Sequence, residues 1–306
     1  MRADDVLKCV RPRQWSKNLI LFAGLLFSEK ALLFQPAAWL WASCGFFVFC
    51  LLSGSVYIIN DLVDIERDRR HPEKCRRPIA AGLVSASQAK VLLAVLLTAA
   101  FGGSFALSGL FAGSAAAYFA LNLAYSLKLK HVVLLDVLCI AIGFVLRAQA
   151  GVGALRVIDN GIYMSHWLLL CTLMLALFLA LAKRRQELVT LTENADRHRI
   201  SLADYTPAFI DQMISIVSAT TVVSYALYTV SQETVAKFGT DGLVLTVPIV
   251  LYGIFRYLYL IHLRSLGDNP SELLLADRPL QLTILLWALA VAAIIHSKGL
   301  IAISTH

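Results

Sequence analysis

The run Asn60-Asp61-Leu62-Val63-Asp64-Ile65-Glu66-Arg67-Asp68 places a cluster of carboxylates directly behind an apolar stretch. If one helix continues through it, Asn60, Asp64 and Asp68 are spaced i, i+4, i+8, and Asp61 lies within about one turn's rotation of them. Three carboxylates then share a face. Like charges so close repel, and at a membrane boundary they are costly unless a cation compensates them. Oxygen-only ligands suit Mg2+, which keeps several waters and bridges a few carboxylates to substrate phosphates. Asp61, Asp64 and Asp68 are therefore the expected Mg2+ ligands and catalytic carboxylates, with Asn60 beside them as a substrate contact. A plain solvated helix end, neutralised by Arg67, Arg69 and Arg70, is the weaker reading because Asn60 and Asp61 abut the apolar run.

Immediately downstream, Arg69-Arg70-His71-Pro72-Glu73-Lys74-Cys75-Arg76-Arg77-Pro78-Ile79-Ala80-Ala81-Gly82 is a basic loop closed by Pro78 and Gly82. Alone, such a loop only reports topology. Beside the aspartates it builds a site for a polyanion, the metal neutralising one phosphate group and Lys74 or Arg77 another.

The elements that must position these groups are membrane helices. The chain has 306 residues, 58% of them hydrophobic, with a mean hydropathy of +0.72. Apolar stretches of the ~20 residues needed to cross a ~30 Å hydrocarbon core recur along it. The expected fold is all-α: about nine transmembrane helices in a single domain over 1–306, spanning 16–34, 38–60, 87–108, 110–127, 132–151, 163–182, 209–231, 242–262 and 279–297. The basic start (Lys8, Arg11, Arg13, Lys17) runs into the first span without a small-residue cleavage pattern, so that span is expected to be retained.

With a cytoplasmic N-terminus, only Lys30, Arg156, Lys237 and Lys298 of the 27 Lys and Arg residues fall outside, and Arg147 and Arg256 lie within spans. That asymmetry orients the protein in the inner membrane with its long polar loops, 61–86, 183–208 and 263–278, on the cytoplasmic side. The formal net charge of +7 thus reports topology and gives no reason to expect a nucleic-acid partner. Cys9, Cys44, Cys50, Cys75, Cys139 and Cys171 are scattered without a zinc spacing and read as small core residues. Helices 2–3 and 6–7 each bracket a long polar loop, a weak hint of a repeat.

The pattern Asn60, Asp61, Asp64, Asp68 followed by Arg77-Pro78-Ile79-Ala80-Ala81-Gly82 resembles the first motif of the UbiA superfamily of membrane prenyltransferases. The resemblance implies a helical bundle with its active site at the cytoplasmic helix ends. That family carries a second aspartate-rich motif after helix 6; here the equivalent stretch is Leu181-Ala182-Lys183-Arg184-Arg185-Gln186-Glu187-Leu188. A basic segment in place of an acidic one implies a bare phosphate there, held without a metal.

Within the superfamily the chain is similar to the branch that transfers phosphoribose from phosphoribosyl pyrophosphate (PRPP) to a polyprenyl phosphate such as decaprenyl phosphate. The likeness rests on Arg11-Pro12-Arg13-Gln14-Trp15-Ser16-Lys17-Asn18, on 71–82, on 182–188, on Tyr125-Ser126-x-Lys128 and Asp136, on Phe144 to Ala148, and on Pro270 to Pro279 with Glu272, Asp277 and Arg278.

This implies loss of diphosphate from C1 with inversion. The acceptor phosphate is already anionic, so no general base is required. Lys17, Lys74, Arg77, Lys128, Lys183 and Arg184 are expected to divide the donor and acceptor phosphates among them. Asn122 and Tyr125, one turn apart, are set to hydrogen-bond ribose or diphosphate oxygens, or simply a neighbouring helix. Arg147 is awkward, falling towards the outer end of the fifth span. The expected partners are PRPP, a polyprenyl phosphate and the bilayer, with homo-oligomerisation left open. An aromatic prenyltransferase of quinone biosynthesis is the runner-up, weakened by the missing second aspartate motif. A transporter is disfavoured because the carboxylates gather at one membrane face.

Overall fold

Apolar runs punctuated by capping residues fold into helices throughout the described part of the chain. The computed structural model describes residues 3–28, 32–72, 74–191, 205–263, 273 and 276–303. Lys30, Glu73, Pro270, Glu272 and much of the long loop after the sixth expected span, 192–204, lie outside them.

In chain order the helices are α1 (Ala3–Val10), α2 (Ala23–Leu26), α3 (Pro36–Val63), α4 (Ile65–Arg70), α5 (Ala86–Leu107), α6 (Gly109–Leu127), α7 (Leu135–Leu155), α8 (His166–Leu191), α9 (Pro207–Val230), α10 (Gln232–Phe238), α11 (Val247–Leu263) and α12 (Arg278–Ile303). Among the described residues, eight helices are long and apolar enough to cross a membrane: α3, α5 to α9, α11 with the turn before it (Gly242–Leu263), and α12. These match the expected second to ninth spans closely.

The first expected span is the exception: among the described residues it is not one continuous α-helix. Residues Pro12–Phe22 form a 3-10 helix, Ala23–Leu26 a single α-turn and Leu32–Phe34 a 3-10 turn. The segment begins with the polar run Pro12 to Asn18 after a left-handed Arg11, and Asn18 is completely buried, where it meets partners remote in sequence.

Several ends are fixed by side chains. Ser85 and Gln88 make a reciprocal capping box on α5 (3.2 and 3.1 Å), and Thr206 caps α9 ahead of Pro207. The Asp277 carboxylate accepts from Leu280 N (2.9 Å) at the start of α12.

The chain divides into two compact units that interleave along the sequence, Met1–Gly24, Pro36–Leu127 and Leu146–Tyr163 in one, Leu25–Gln35, Lys128–Val145 and Met164–His306 in the other. In the first unit, α3 packs along α5 and against the 3-10 segment. Leu21, Phe49, Leu52, Phe111, Tyr118, Ala150 and Ala154 form its larger core, and Cys9, Ile58, Ile79, Val84 and Ala89 a smaller one near the aspartate motif. Small residues permit the close approach: a Cβ on Gly151 would stand 2.1 Å from Leu21 O, and one on Gly153 2.7 Å from Phe111 N. In the second unit, α8 packs along α9, and Val137, Ala141, Phe178, Leu181, Ile210, Ile214, Ile254, Tyr257 and Leu280 are buried together.

Candidate active site

Helix α3 ends at Val63, Asp64 takes a turn conformation (φ −98°, ψ 13°), and α4 resumes at Ile65. The backbone bonds Asp64 N to Asn60 O (2.9 Å) and Asp68 N to Asp64 O (2.8 Å) carry the helical repeat across the break. Asp61 and Asp68 consequently stay on one buried face, 2% and 3% exposed, whereas Asn60 and Asp64 are half-buried.

The two buried carboxylates converge on one cation. Arg77 Nη1 donates to Asp61 Oδ1 at 3.1 Å and to Asp68 Oδ2 at 2.6 Å. Arg11 also donates to Asp61 Oδ1, and its guanidinium lies over the Tyr57 ring, 4.8 Å from the centroid. Pro78 and Ile79 are buried directly after Arg77, anchoring the loop that delivers it. Among the described residues no three His, Cys, Asp or Glu side chains are grouped to hold a metal ion. The expected three-aspartate cluster is thus two buried carboxylates neutralised by arginine, with Asp64 at the helix break.

Lys74 is half-buried in the turn Lys74–Arg76, its backbone N–H directed at His71 Nδ1 (3.4 Å). Lys17 is half-buried on the 3-10 segment. Next to it in sequence, Asn18 donates to Cys50 Sγ and Ser53 Oγ (both 3.2 Å) and accepts from Arg147 Nε (2.9 Å). Arg147 also donates through Nη2 to the Tyr118 hydroxyl (2.6 Å) and lies over that ring. It is 7% exposed, so it does not snorkel; it fastens the 3-10 segment to α6 and α7. On α6, Asn122 donates to Tyr118 O (2.8 Å) and Ser126 Oγ to Asn122 O (2.6 Å), while Tyr125 is half-buried.

In the second unit, Asp136 lies in the first turn of α7 with no exposure, and its carboxylate accepts from two side chains. Arg184 Nε donates to its Oδ2 at 2.7 Å, and the Tyr205 hydroxyl donates to its Oδ1 at 3.0 Å while accepting from Leu134 N at 2.8 Å. Burial, first of all, pushes the Tyr205 phenol up to about 12, and the nearby Asp136 charge adds to this. Arg184 donates as well to Glu187, whose other oxygen lies 3.8 Å from Lys183 Nζ. Lys183 keeps a side chain 40% exposed, whereas Arg184 has 2%. Lys128 is exposed before the turn Leu129–His131. Arg185 pairs with Asp211, which His262 Nε2 approaches at 3.3 Å.

Residues 19–276 match the UbiA prenyltransferase family. The chain belongs to the UbiA prenyltransferase family. Two proteins named decaprenyl-phosphate phosphoribosyltransferase are related to it over almost their whole length. That of Mycolicibacterium smegmatis is 34% identical over 298 residues, covering 95% of this chain and 92% of its own. That of Corynebacterium glutamicum is 32% identical over 298 residues, covering 96% and 87%. A UbiA homolog from Archaeoglobus fulgidus, solved bound to DMAPP and Mg2+, superposes with a TM-score of 0.71 at 18% identity, over 95% of this chain and 99% of that one. That likeness concerns the fold: an all-helical, polytopic membrane protein of UbiA type.

For this UbiA member the sequence singled out Asp61, Asp68 and Arg77, which the structure brings together. It did not single out Arg11 as a site residue. The available signal was an Arg-Pro pair preceding a polar segment that leads into an apolar one.

Proposed function

We propose that the chain transfers the 5-phosphoribosyl group of PRPP to a polyprenyl phosphate and releases diphosphate. The acceptor phosphate oxygen bonds to C1 from the face opposite the leaving group. The C1 to oxygen bond breaks, its electron pair departs with the diphosphate, and C1 inverts. Kinship with the mycobacterial and corynebacterial phosphoribosyltransferases over nearly full length supports this reading. The observation that carries it is the convergence of two buried carboxylates and two arginines at Asp61, an arrangement built for an anion held through a cation.

Mg2+ fits this donor set. It binds through one or two carboxylates plus substrate phosphates rather than an all-protein cage, so a pair of converging aspartate oxygens suffices. Asp61, Asp64 and Asp68 would hold it, and bound there it would stabilise the negative charge developing on the leaving diphosphate. Lys17, Lys74 and Arg77 supply cations for the donor's phosphates. Asn60, Asn122 and Tyr125 offer hydrogen bonds to its hydroxyls. Lys128 and Lys183 are further cations suited to a substrate phosphate. Arg184 is assigned to holding Asp136 and Glu187, and shapes that region without needing to touch substrate.

The excess of Lys and Arg in alternate loops supports a cytoplasmic side for these groups and for the N-terminus. The product would feed a lipid-linked arabinose donor for cell-envelope glycans. Detergent-solubilised protein incubated with Mg2+, radiolabelled PRPP and decaprenyl phosphate should yield a labelled lipid. Product only from a prenyl diphosphate and a hydroxybenzoate would reject this reading in favour of aromatic prenylation.

A further inference from the structure

We infer that Arg11 is a phosphate-binding residue of the donor site, stored on Asp61 while no substrate is bound. The inference rests on the reading of Asp61 as part of a Mg2+-diphosphate site. Arg11 stands in the left-handed region, φ 52° and ψ 68°, immediately before Pro12. A side chain with a Cβ is strained there, and a following proline restricts the backbone further. Such strain persists only where surrounding contacts over-determine it, and it clusters at functional sites. Here the contacts are identified. Arg11 N bonds back to Leu7 O (3.1 Å), closing α1, and Gln14 N to Arg11 O (2.9 Å), opening the 3-10 segment. The left-handed turn therefore sits between two ordered elements, and it aims the guanidinium over Tyr57 and onto Asp61.

As it stands the cluster is charge-balanced. Asp61 already has Arg77, and Arg77 also serves Asp68. A second arginine on one carboxylate gives the cluster two guanidinium groups for two buried aspartates. With the aspartate oxygens engaged by a cation, both guanidinium groups would lose their anions and would be left to pair with an incoming anion. A diphosphate supplies that anion, in the planar, bidentate geometry that guanidinium prefers. The Arg11 side chain is 26% exposed, so it need only change partner, not emerge from a core.

The test uses the full chain in detergent and compares wild type with Arg11→Ala, Arg11→Gly and Arg11→Lys. Binding of Mg2+ alone, of Mg2+ with inorganic pyrophosphate, and of Mg2+ with PRPP is followed by calorimetry, and folding by the thermal midpoint. Glycine accepts the left-handed backbone, so Arg11→Gly removes the strain together with the side chain. Arg11→Ala and Arg11→Gly should weaken Mg2+-PRPP and Mg2+-pyrophosphate binding roughly 10- to 100-fold, the loss of one charge-assisted contact. Mg2+ alone should bind at least as well as in wild type, because a competing cation has gone. The midpoint of Arg11→Gly should hold, and Arg11→Lys should recover only part of the affinity. Wild-type binding in both Arg11→Ala and Arg11→Gly overturns the inference, as does a fall in the Arg11→Gly midpoint that tracks the lost affinity. If wild type itself binds neither PRPP nor pyrophosphate with Mg2+, the donor-site reading fails, and the role of Arg11 with it.

Discussion

Arg184 Nε lies 2.7 Å from Asp136 Oδ2, with the two side chains 2% and 0% exposed. A charge pair this buried holds structure in place, because removing one partner strands the other in a low-dielectric setting at a cost of ~3–5 kcal/mol. Arg184→Ala should therefore lower the thermal midpoint, and any activity loss should follow the loss of folded protein. Lys183→Ala should leave the midpoint near wild type and raise the KM for one phosphate substrate, with kcat/KM down on the order of 10- to 100-fold. Measuring KM for PRPP and for polyprenyl phosphate separately assigns the phosphate. Unchanged kinetics in Lys183→Ala would remove the basic segment after the sixth expected span from the site.

At the aspartate motif, Asp61→Asn, Asp64→Asn and Asp68→Asn keep size and most hydrogen bonds but lose the charge. Each should abolish most turnover while the protein remains folded, EDTA should do the same to wild type, and added Mg2+ should restore it. Arg77→Ala separates competition from catalysis. Freed of the guanidinium between Asp61 and Asp68, the variant should bind Mg2+ alone more tightly and PRPP more weakly. Near-wild-type turnover in all three Asn variants at limiting Mg2+ would sink the metal role.

How much of this was legible in the sequence follows from the range of the interactions. Helices α3, α5 to α9, α11 and α12 were readable because long apolar runs carry their own length and limits. The grouping of Asp61 with Asp68 was readable because seven residues make nearly two helical turns. The break-up of 16–34 was not, since it depends on Asn18 finding Arg147 across 129 residues. The same bond explains why Arg147 looked misplaced: a buried cation is recognised by its partners, and those partners lie on other elements. Arg184 was expected to hold a phosphate because it stands where the family has its second aspartate motif; its bond to Asp136, which also accepts from Tyr205, joins positions remote in sequence and could not be read there.

Gly151→Ala tests the anchoring of the 3-10 segment without touching any charged group. The added Cβ would stand 2.1 Å from Leu21 O and 2.7 Å from Leu21 Cα, and backbone cannot swing away as a side-chain tip can. The segment must shift, so the variant should lose thermal stability and, through Arg11 and Lys17, affinity for PRPP. Arg147→Ala should destabilise the same region, and Arg147→Lys should not rescue it, since a single ammonium cannot serve Asn18 and lie flat over Tyr118. A Gly151→Ala protein with wild-type midpoint and PRPP affinity would show that the segment is anchored elsewhere.

Two cysteines report on the site from different depths. Cys9 has no exposed surface, and burial, followed by the Asp61 charge, pushes its thiol up to about 11. Cys75 is half-buried in the loop between Lys74 and Arg77. Alkylation needs the thiolate, so brief N-ethylmaleimide treatment near neutral pH should modify Cys75 and spare Cys9 until the protein is denatured. Mg2+ with PRPP should slow the reaction at Cys75. Peptide mass analysis checks both, and rapid labelling of Cys9 in folded protein would contradict its burial.

Tyr205→Phe examines the network behind Lys183. The wild-type hydroxyl donates to Asp136 and accepts from Leu134, a non-glycine residue held at φ 68°. Losing it leaves a buried carboxylate short of a donor and a strained N–H short of an acceptor, so the variant should be less stable by ~1–3 kcal/mol. The pH dependence has a definite sign. Because the folded phenol is raised to about 12 from an ordinary value of 10, the protonated hydroxyl's contribution is fully present below pH 10 and is lost as pH rises towards 12. The stability gap between wild type and Tyr205→Phe should therefore stay constant from about pH 6 to 9, measured by thermal unfolding in buffered detergent. A gap that closes within that range would mean that Tyr205 ionises early and does not serve Asp136 as a neutral donor.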